Sequence, residues 1–220
     1  MDGPHRERAV SMSPNNEVLP MFPLGTVLFP GVAMPLHVFE PRYRALTRHC
    51  LDGDGRFGVV LIERGSEVGG GDVRVSVGTC ARIVEAAELP DGRWLLVIVG
   101  VERIAVRRWL PDDPYPQAEI DVIPDASAGA DAVEQVAEAE RLLRRALALK
   151  AELGEPAAAA TFELDPDPAV AAYQIAALAP VGPFDQQRLL EQDGAPQRLA
   201  LLASTLSDEV RVLAQRASWG

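Results

Sequence analysis

Two spacings of apolar residues divide the chain near residue 125. Before this point, short apolar runs rich in Val, Ile, Phe and Trp are separated by clusters of Gly, Pro and Asp, which is typical of an antiparallel sheet or barrel. One run, residues 41–51, is instead predicted to be a helix, because Pro41 suits the first helical position and Asp52-Gly53 ends the run. The predicted strands are residues 19–24, 32–38, 57–63, 73–86, 93–108 and 117–123.

After residue 130 the apolar residues follow a helical period. Val133, Val136, Leu143 and Leu147 fall on one stripe of an amphipathic helix. Further helices are predicted over residues 168–179, 184–192 and from 195 onward, each opened or closed by a capping residue or proline. Helices of this length need each other's apolar faces to be stable, so the pattern predicts a small bundle docked against the strand-rich half.

These patterns predict four segments along the chain. They are a disordered leader over residues 1–17, a β subdomain over 18–124, a linker over 125–130 and a helical-bundle subdomain over 131–220. The leader is polar and lacks the apolar centre of a signal peptide. Residues 19–39 are nearly free of charge, but four prolines interrupt them, and lipid offers no replacement for the helical hydrogen bonds that proline removes. We therefore predict no membrane span.

Charge and cysteine content narrow the classes of function. The formal net charge is −11 and neither half of the chain has a basic excess, whereas nucleic-acid affinity depends on clustered Lys and Arg. Cys50 and Cys80 are the only cysteines, too few for a disulfide framework, and we interpret them as reduced thiols of a cytoplasmic protein. No nucleic-acid partner is expected.

The sequence has few of the lysines and glycine-rich loops that ATP hydrolysis or a Ser–Lys dyad would require. The single lysine, Lys150, lies inside a predicted helix and no P-loop surrounds it, which excludes that type of ATP hydrolysis. A Ser–Lys dyad would have to use the same lysine at the end of that helix. The glycine run at residues 69–71 leads into an alternating strand, and phosphate loops lead into a helix, so we interpret it as a hairpin loop.

The histidines do not form a catalytic or metal-binding pattern. They are His5 in the leader, His37 on a predicted strand and His49 on the predicted short helix, with no zinc-type spacing. His49 and Cys50 are adjacent, which on a helix points their side chains about 100° apart. We therefore predict no catalytic residue, no metal site and no cofactor.

Several stretches, taken in order, resemble the amino-terminal domain of Lon proteases. The opening stretches are residues 19–31 (LPMFPLGTVLFPG) and 35–43 (PLHVFEPRY). Similar later stretches are residues 77–83 (VGTCARI), 89–93 (LPDGR), 100–103 (GVER), 185–191 (DQQRLLE) and 198–202 (RLALL). The resemblance covers residues 18–215, and the order of the motifs makes it more specific than any one of them.

The resemblance implies an α+β fold: a PUA-like antiparallel β-barrel with a short helix, followed by a C-terminal helical bundle. It also implies non-catalytic recognition of unfolded or degron-bearing polypeptides, as an adaptor or chaperone-like protein working with a protease or chaperone. Full-length Lon proteases continue into an ATPase and a Ser–Lys peptidase module, and we expect neither here because the sequence stops at Gly220. The alternatives are a hydrolase or peptidase-associated subunit and an RNA-binding PUA-like module.

One predicted strand has two apolar faces. Trp94, Leu96 and Ile98 alternate with Leu95, Val97 and Val99. This pattern favours a central strand covered on both sides. The alternative is that one face contributes to an apolar binding groove.

The remaining candidate binding residues are aromatic, basic or methionine. Trp109 alternates with Arg103 and Arg107 on what we interpret as the wet face of its strand, and Trp and Arg are enriched at binding hot spots. Phe29 and Met34 in the proline-rich opening are further candidates, since methionine adapts to varied partners. With Trp94, these residues make up the predicted binding set.

Overall fold

The computed structural model describes residues 17–65, 73–158 and 161–219. Six strands and one helix form the first part of the chain. In order they are β1 (Glu17–Leu24), β2 (Ala33–Val38), α1 (Pro41–Asp52), β3 (Arg56–Arg64), β4 (Val73–Glu88), β5 (Trp94–Leu110) and β6 (Gln117–Ile123). Four helices follow: α2 (Ala132–Glu152), α3 (Pro168–Leu178), α4 (Pro183–Leu190) and α5 (Ala195–Ala217).

The strand pairings close into a ring. Strand β5 pairs with β4, which pairs with β3; β3 pairs with β1, β1 with β6, and β6 returns to β5. All of these pairs are antiparallel except β1–β3, which is parallel. The parallel pair arises because the chain passes through β2 and α1 between the two strands, a crossover that a tight hairpin could not provide.

Strand β5 is long enough to take part in two regions of the six-stranded sheet. Its second half belongs to the ring, while residues 94–99 pair with β2 on one side and with the end of β4 on the other. A β-bulge between Ile83 and Glu85 of β4 leaves Val84 without a partner opposite it. We call the three-stranded part, β2 with residues 94–99 of β5 and residues 83–88 of β4, the outer sheet.

Helix α1 covers one face of the outer sheet and one end of the ring. It starts at Pro41, as expected, and it buries Tyr43, Leu46 and Cys50 along one side. The ring of Tyr43 stacks on Phe22 of β1 with centroids 4.1 Å apart. On the outer sheet, Leu96 and Ile98 of β5 complete this core.

The helical bundle docks on a different part of the ring from α1. Its core includes Leu143, Ile175 and Leu202, and the loop before β2 adds Phe29 to it, with the Phe29 ring centroid 6.1 Å from that of Tyr173. The side chain of Asp167 caps α3 by accepting a hydrogen bond of 2.9 Å from the N–H of Ala169.

The mixed α+β architecture predicted from the sequence is confirmed in element order and type. The main differences are at element ends: β4 and β5 end two residues later than predicted, β1 begins two residues earlier, and α4 ends two residues earlier. The glycine run at 69–71 and residues 1–16 of the predicted leader lie outside the described residues, and Glu17 begins β1. No helix within the described ranges is long and apolar enough to span a bilayer.

Candidate functional site

The outer sheet has one apolar face that no described element covers. The pairings place Ala33, Pro35 and His37 of β2 in register with Val99, Val97 and Leu95 of β5, and Glu85 and Ala87 of β4 lie opposite the last two. We call this set the outer face. Leu95 is 47% exposed and Val84, at the bulge beside it, is 52% exposed.

A shallow groove follows the outer face. Its volume is about 560 Å³, and its walls are largely apolar, with Glu85 the only carboxylate. The lining residues are Pro35, Leu36, His37, Glu85, Ala86, Ala87, Leu95, Leu96 and Val97. An exposed apolar surface of this kind is typical of a site that another molecule covers.

The inner face of the same three strands is packed. Leu96 is 3% exposed and Ile98 is fully buried beneath α1. The expectation that this strand is covered on both sides is therefore wrong for residues 94–99, because α1 lies on one face and the bundle docks elsewhere on the ring. The open groove, which the alternating pattern left as the alternative, is what the structure contains.

Three of the predicted binding residues pack against one of the two main cores. Phe29 has no exposed surface and belongs to the core of the bundle, so it is not available to a partner in this conformation. Met34 and Trp94 are half-buried and pack against the core beneath α1. The indole N–H of Trp94 is buried without a hydrogen-bond partner in the described part of the chain.

Arg103 is buried and holds two parts of the fold together. The interpretation that it lies on a wet face is wrong: its side chain is 2% exposed, and it crosses from β5 to the bundle. Its guanidinium donates to the carbonyls of Leu190 and Asp193 at 3.1 and 3.2 Å and lies 2.7 Å from the carboxylate of Asp125. Arg103 therefore fastens the ring to the turn between α4 and α5.

A second buried arginine shares the same carboxylate. Arg198 of α5 has no exposed surface, and its Nη2 lies 3.3 Å from Asp125 and 2.9 Å from the hydroxyl of Tyr173. The Tyr173 hydroxyl donates to Asp125 at 2.6 Å. Burial lowers the pKa of Arg198, and the neighbouring Tyr173 and Asp125 oppose that shift. We call Asp125, Arg103, Arg198 and Tyr173 the polar lock.

The last two predicted residues make local contacts on β5. Arg107 pairs with Asp121 on the neighbouring strand β6. The guanidinium of Arg74 lies 4.5 Å from the centroid of the Trp109 ring, and it also pairs with Asp112 at 3.7 Å. The structure thus does not bring the predicted residues together into one surface.

The outer-face residues were absent from the predicted set, although the sequence held a signal for some of them. The alternation predicts that Leu95 and Val97 share an apolar face, but it does not indicate whether another element covers that face. Pro35 carries a signal for an edge strand, because proline inside a strand is confined to edges, strand starts and bulges, whereas nothing in the local pattern marks the bulge at Val84.

The two thiols are not placed for nucleophilic chemistry. Both Cys50 and Cys80 are free and buried. Burial raises the pKa of Cys50 to about 12, and it also raises the pKa of Cys80, although the hydrogen bond from Arg56 opposes the latter shift. Both therefore stay protonated near neutral pH. Within residues 17–65, 73–158 and 161–219, no three His, Cys, Asp or Glu side chains are grouped so as to hold a metal ion.

Comparison with known proteins identifies similar chains among bacterial Lon proteases. The Lon protease of Anaeromyxobacter dehalogenans is 32% identical over 201 residues, which cover 89% of this chain and 24% of that protein. Lon protease 2 of Herpetosiphon aurantiacus is 29% identical over 203 residues, with the same coverage of each chain. The chain thus spans about a quarter of the length of these curated relatives.

Solved structures give the same result for the fold. The Lon N-terminal domain protein from Xanthomonas campestris superposes with a TM-score of 0.62 at 28% identity, over 86% of this chain and 98% of that one. The N-terminal domain of the Mycobacterium avium complex Lon protease gives a TM-score of 0.64 at 19% identity, over 87% and 99% of the two chains. Residues 18–208 match the family described as the ATP-dependent protease La (LON) substrate-binding domain, so the chain belongs to that family.

Proposed function

We propose that the chain recognises polypeptides without catalysing a reaction on them, and that the outer face is the surface that contacts them. The observation that carries the proposal is an exposed, mainly apolar face on a sheet whose other face is firmly packed. Burying an apolar segment against an apolar surface lowers the free energy of the complex relative to the separate molecules. Such segments are exposed in unfolded chains.

Family membership supports this class of function. The matching family is described by substrate binding and not by the proteolytic part of the protease. We infer that unfolded or degron-bearing polypeptides are the partners, that the chain serves as an adaptor or chaperone-like protein for a protease or chaperone, and that it acts in the cytoplasm.

The arginines of β5 support a polypeptide over RNA as the partner. Arg107 and Arg108 pair across to Asp121 and Glu119 on β6, and Arg103 is buried in the polar lock. The strand with the most basic sequence therefore presents its charges already neutralised, and the whole chain carries a net charge of −11.

Binding of a permanently unfolded protein tests the proposal. Reduced, carboxymethylated α-lactalbumin should bind the wild-type chain, and Leu95→Asp should weaken the binding about ten-fold or more because it places a charge on the outer face. Val212→Asp on α5 is the matched control, since Val212 is 48% exposed and Leu95 is 47% exposed. Equal loss in the two variants, or no binding by the wild type, would contradict the proposal.

A further inference from the structure

Strand β2 forms a free edge of the outer sheet. Among the described residues it pairs only with β5, and its other side faces away from the sheet. An edge strand presents a row of backbone N–H and C=O groups that can pair with another extended chain. The opposite edge of the outer sheet, the end of β4, carries Glu85 and Glu88, and charged side chains discourage such pairing. Apart from His37, β2 has no ionisable side chain.

The hydrogen bonds at the start of β2 fix which backbone groups point outward. The N–H of Gly100 donates to the carbonyl of Val32 at 3.0 Å, and continuing the β2–β5 register by one position beyond Ala33 and Val99 sets these two residues opposite each other. Because directly hydrogen-bonded pairs alternate with non-bonded pairs along an antiparallel ladder, the even residues of β2 face β5. The backbone groups of Ala33, Pro35 and His37 therefore point away from the sheet, with the N–H missing at Pro35.

Cavities lie on both faces of the sheet along this edge. The outer groove includes Pro35 and His37 of β2 in its wall. On the inner face, a second cavity of about 160 Å³ lies between β2 and the end of β1, and Phe22, Leu24 and Tyr43 contribute to its wall. A third cavity of about 240 Å³ at residues 31–33 extends the path toward α3.

We propose that an extended, apolar segment of a client polypeptide adds to the free edge of β2 as a further strand. Alternate side chains of an added strand point to opposite faces of the sheet, so successive residues would enter the outer groove and the inner cavity in turn. Because both cavities are mainly apolar, the favoured segment is a continuous apolar run rather than an alternating one. This inference rests on the proposed function and specifies how the client is held.

A second copy of the chain fits this edge less well than a client does. Two β2 edges paired antiparallel about their centres would set Pro35 opposite Pro35, where neither residue has an N–H to donate. The pairing would lose both hydrogen bonds at that point. Proline on an edge strand is a known device against self-association, whereas a client can slide its register until its own donors meet the free carbonyls.

Backbone methylation of a peptide separates strand addition from side-chain docking. The probe is a fluorescein-labelled peptide of sequence SKSVLVLVSKS, measured by fluorescence anisotropy against the full chain. A version N-methylated at every other residue of the apolar run keeps one edge able to hydrogen-bond and should bind nearly as well. A version N-methylated throughout the run keeps the same side chains but has no such edge, and it should bind at least about 30-fold more weakly, since several hydrogen bonds of about 5-fold each are lost.

A pair of variants at one position tests the same contact from the protein side. His37→Pro removes one outward N–H from β2 without removing a bond to β5, and His37→Ala removes the imidazole but keeps that N–H. We expect His37→Pro to bind the unmodified peptide about 5-fold more weakly than His37→Ala. If His37→Pro does not fold, binding of the methylated peptides to the wild-type chain still tests whether the client adds as a strand.

The outcomes distinguish this inference from the proposed function. Equal binding of the fully methylated and unmodified peptides overturns strand addition while leaving polypeptide recognition intact. Binding of unfolded α-lactalbumin without any binding of the unmodified peptide would likewise overturn strand addition and leave polypeptide recognition intact. Failure to bind either probe contradicts the proposed function itself. A concentration-dependent dimer that His37→Pro abolishes would show a second copy, and not a client, at the edge.

Discussion

The two halves of β5 both depart from the usual rule that apolar side chains are buried and charged side chains are exposed. In the first half, the apolar side chains of Leu95 and Val97 lie on an open face, whereas in the second half the charged side chain of Arg103 is 2% exposed. Gly100 lies between the two halves. The contrast indicates that the second half is built to hold the ring and the bundle together, and the first half presents a surface that other molecules can cover.

The polar lock surrounds two buried positive charges with oxygen acceptors. Arg103 and Arg198 meet one carboxylate, one hydroxyl and several backbone carbonyls at the turn between α4 and α5. These carbonyls belong to a helix end and a loop, where intrahelical partners are missing. The arginines therefore exchange water for these acceptors, except at Arg103 Nε and Arg198 Nη1, which have no hydrogen-bond partner among the described residues.

Removing the shared carboxylate should have the largest effect on stability. Asp125→Ala leaves Arg103 and Arg198 buried without a counter-charge, and we expect the free energy of unfolding to fall by about 3–5 kcal/mol in urea titrations. Asp121→Ala, which breaks the exposed pair with Arg107, should cost less than about 1 kcal/mol. Similar losses in the two variants would mean that the contact between Asp125 and the two buried arginines is no more important than the surface pair.

Substitution at the junction should have an intermediate effect. A Cβ atom at Gly100 would lie 2.2 Å from the carbonyl oxygen of Phe29, so Gly100→Ala must push β5 away from the loop that leads into β2. We expect a loss of about 1–3 kcal/mol, measured by chemical denaturation. Gly129→Ala is the control, because its Cβ would meet nothing closer than 3.8 Å, and no loss is expected there. If Gly100→Ala had the same free energy of unfolding as the wild type, the loop that contains Phe29 would have to move aside at little cost.

Substitutions on the open face should have the smallest effect. Leu95→Ser should change the free energy of unfolding by no more than about 0.5 kcal/mol, because the side chain is already half in water. Leu96→Ser, at the next residue, removes a side chain that is 3% exposed and should cost about 2–5 kcal/mol. If the two variants were equally destabilised in thermal unfolding, the outer face would be part of the folding core rather than a surface left for partners.

Local patterns in the sequence were sufficient for the elements of the fold. The proline at the start of α1, the Asp167 cap of α3 and the alternation along β5 all act through neighbouring residues, so they can be recognised before the chain is folded. The parallel β1–β3 pair was not predicted, because pairing direction depends on where α1 and β2 carry the chain in between.

The candidate site was harder to predict, because exposure is a tertiary property. Leu95 and Leu96 look alike in the sequence, and only the position of α1 makes one of them a surface residue. Arg103 looked like a surface residue because its acceptors are far away along the chain; the carbonyl of Leu190 is 87 positions distant. No local window contains both groups.

The continuity of β5 also determines how the molecule responds to tension. A client pulled while it is held at β2 would draw on β5 along the strand axis, where the hydrogen bonds to β4 and β6 resist together rather than one after another. The same strand carries Arg103, whose bonds lead directly to the start of α5. Force applied at the edge of the sheet would therefore reach the bundle through β5 and the contacts of Arg103.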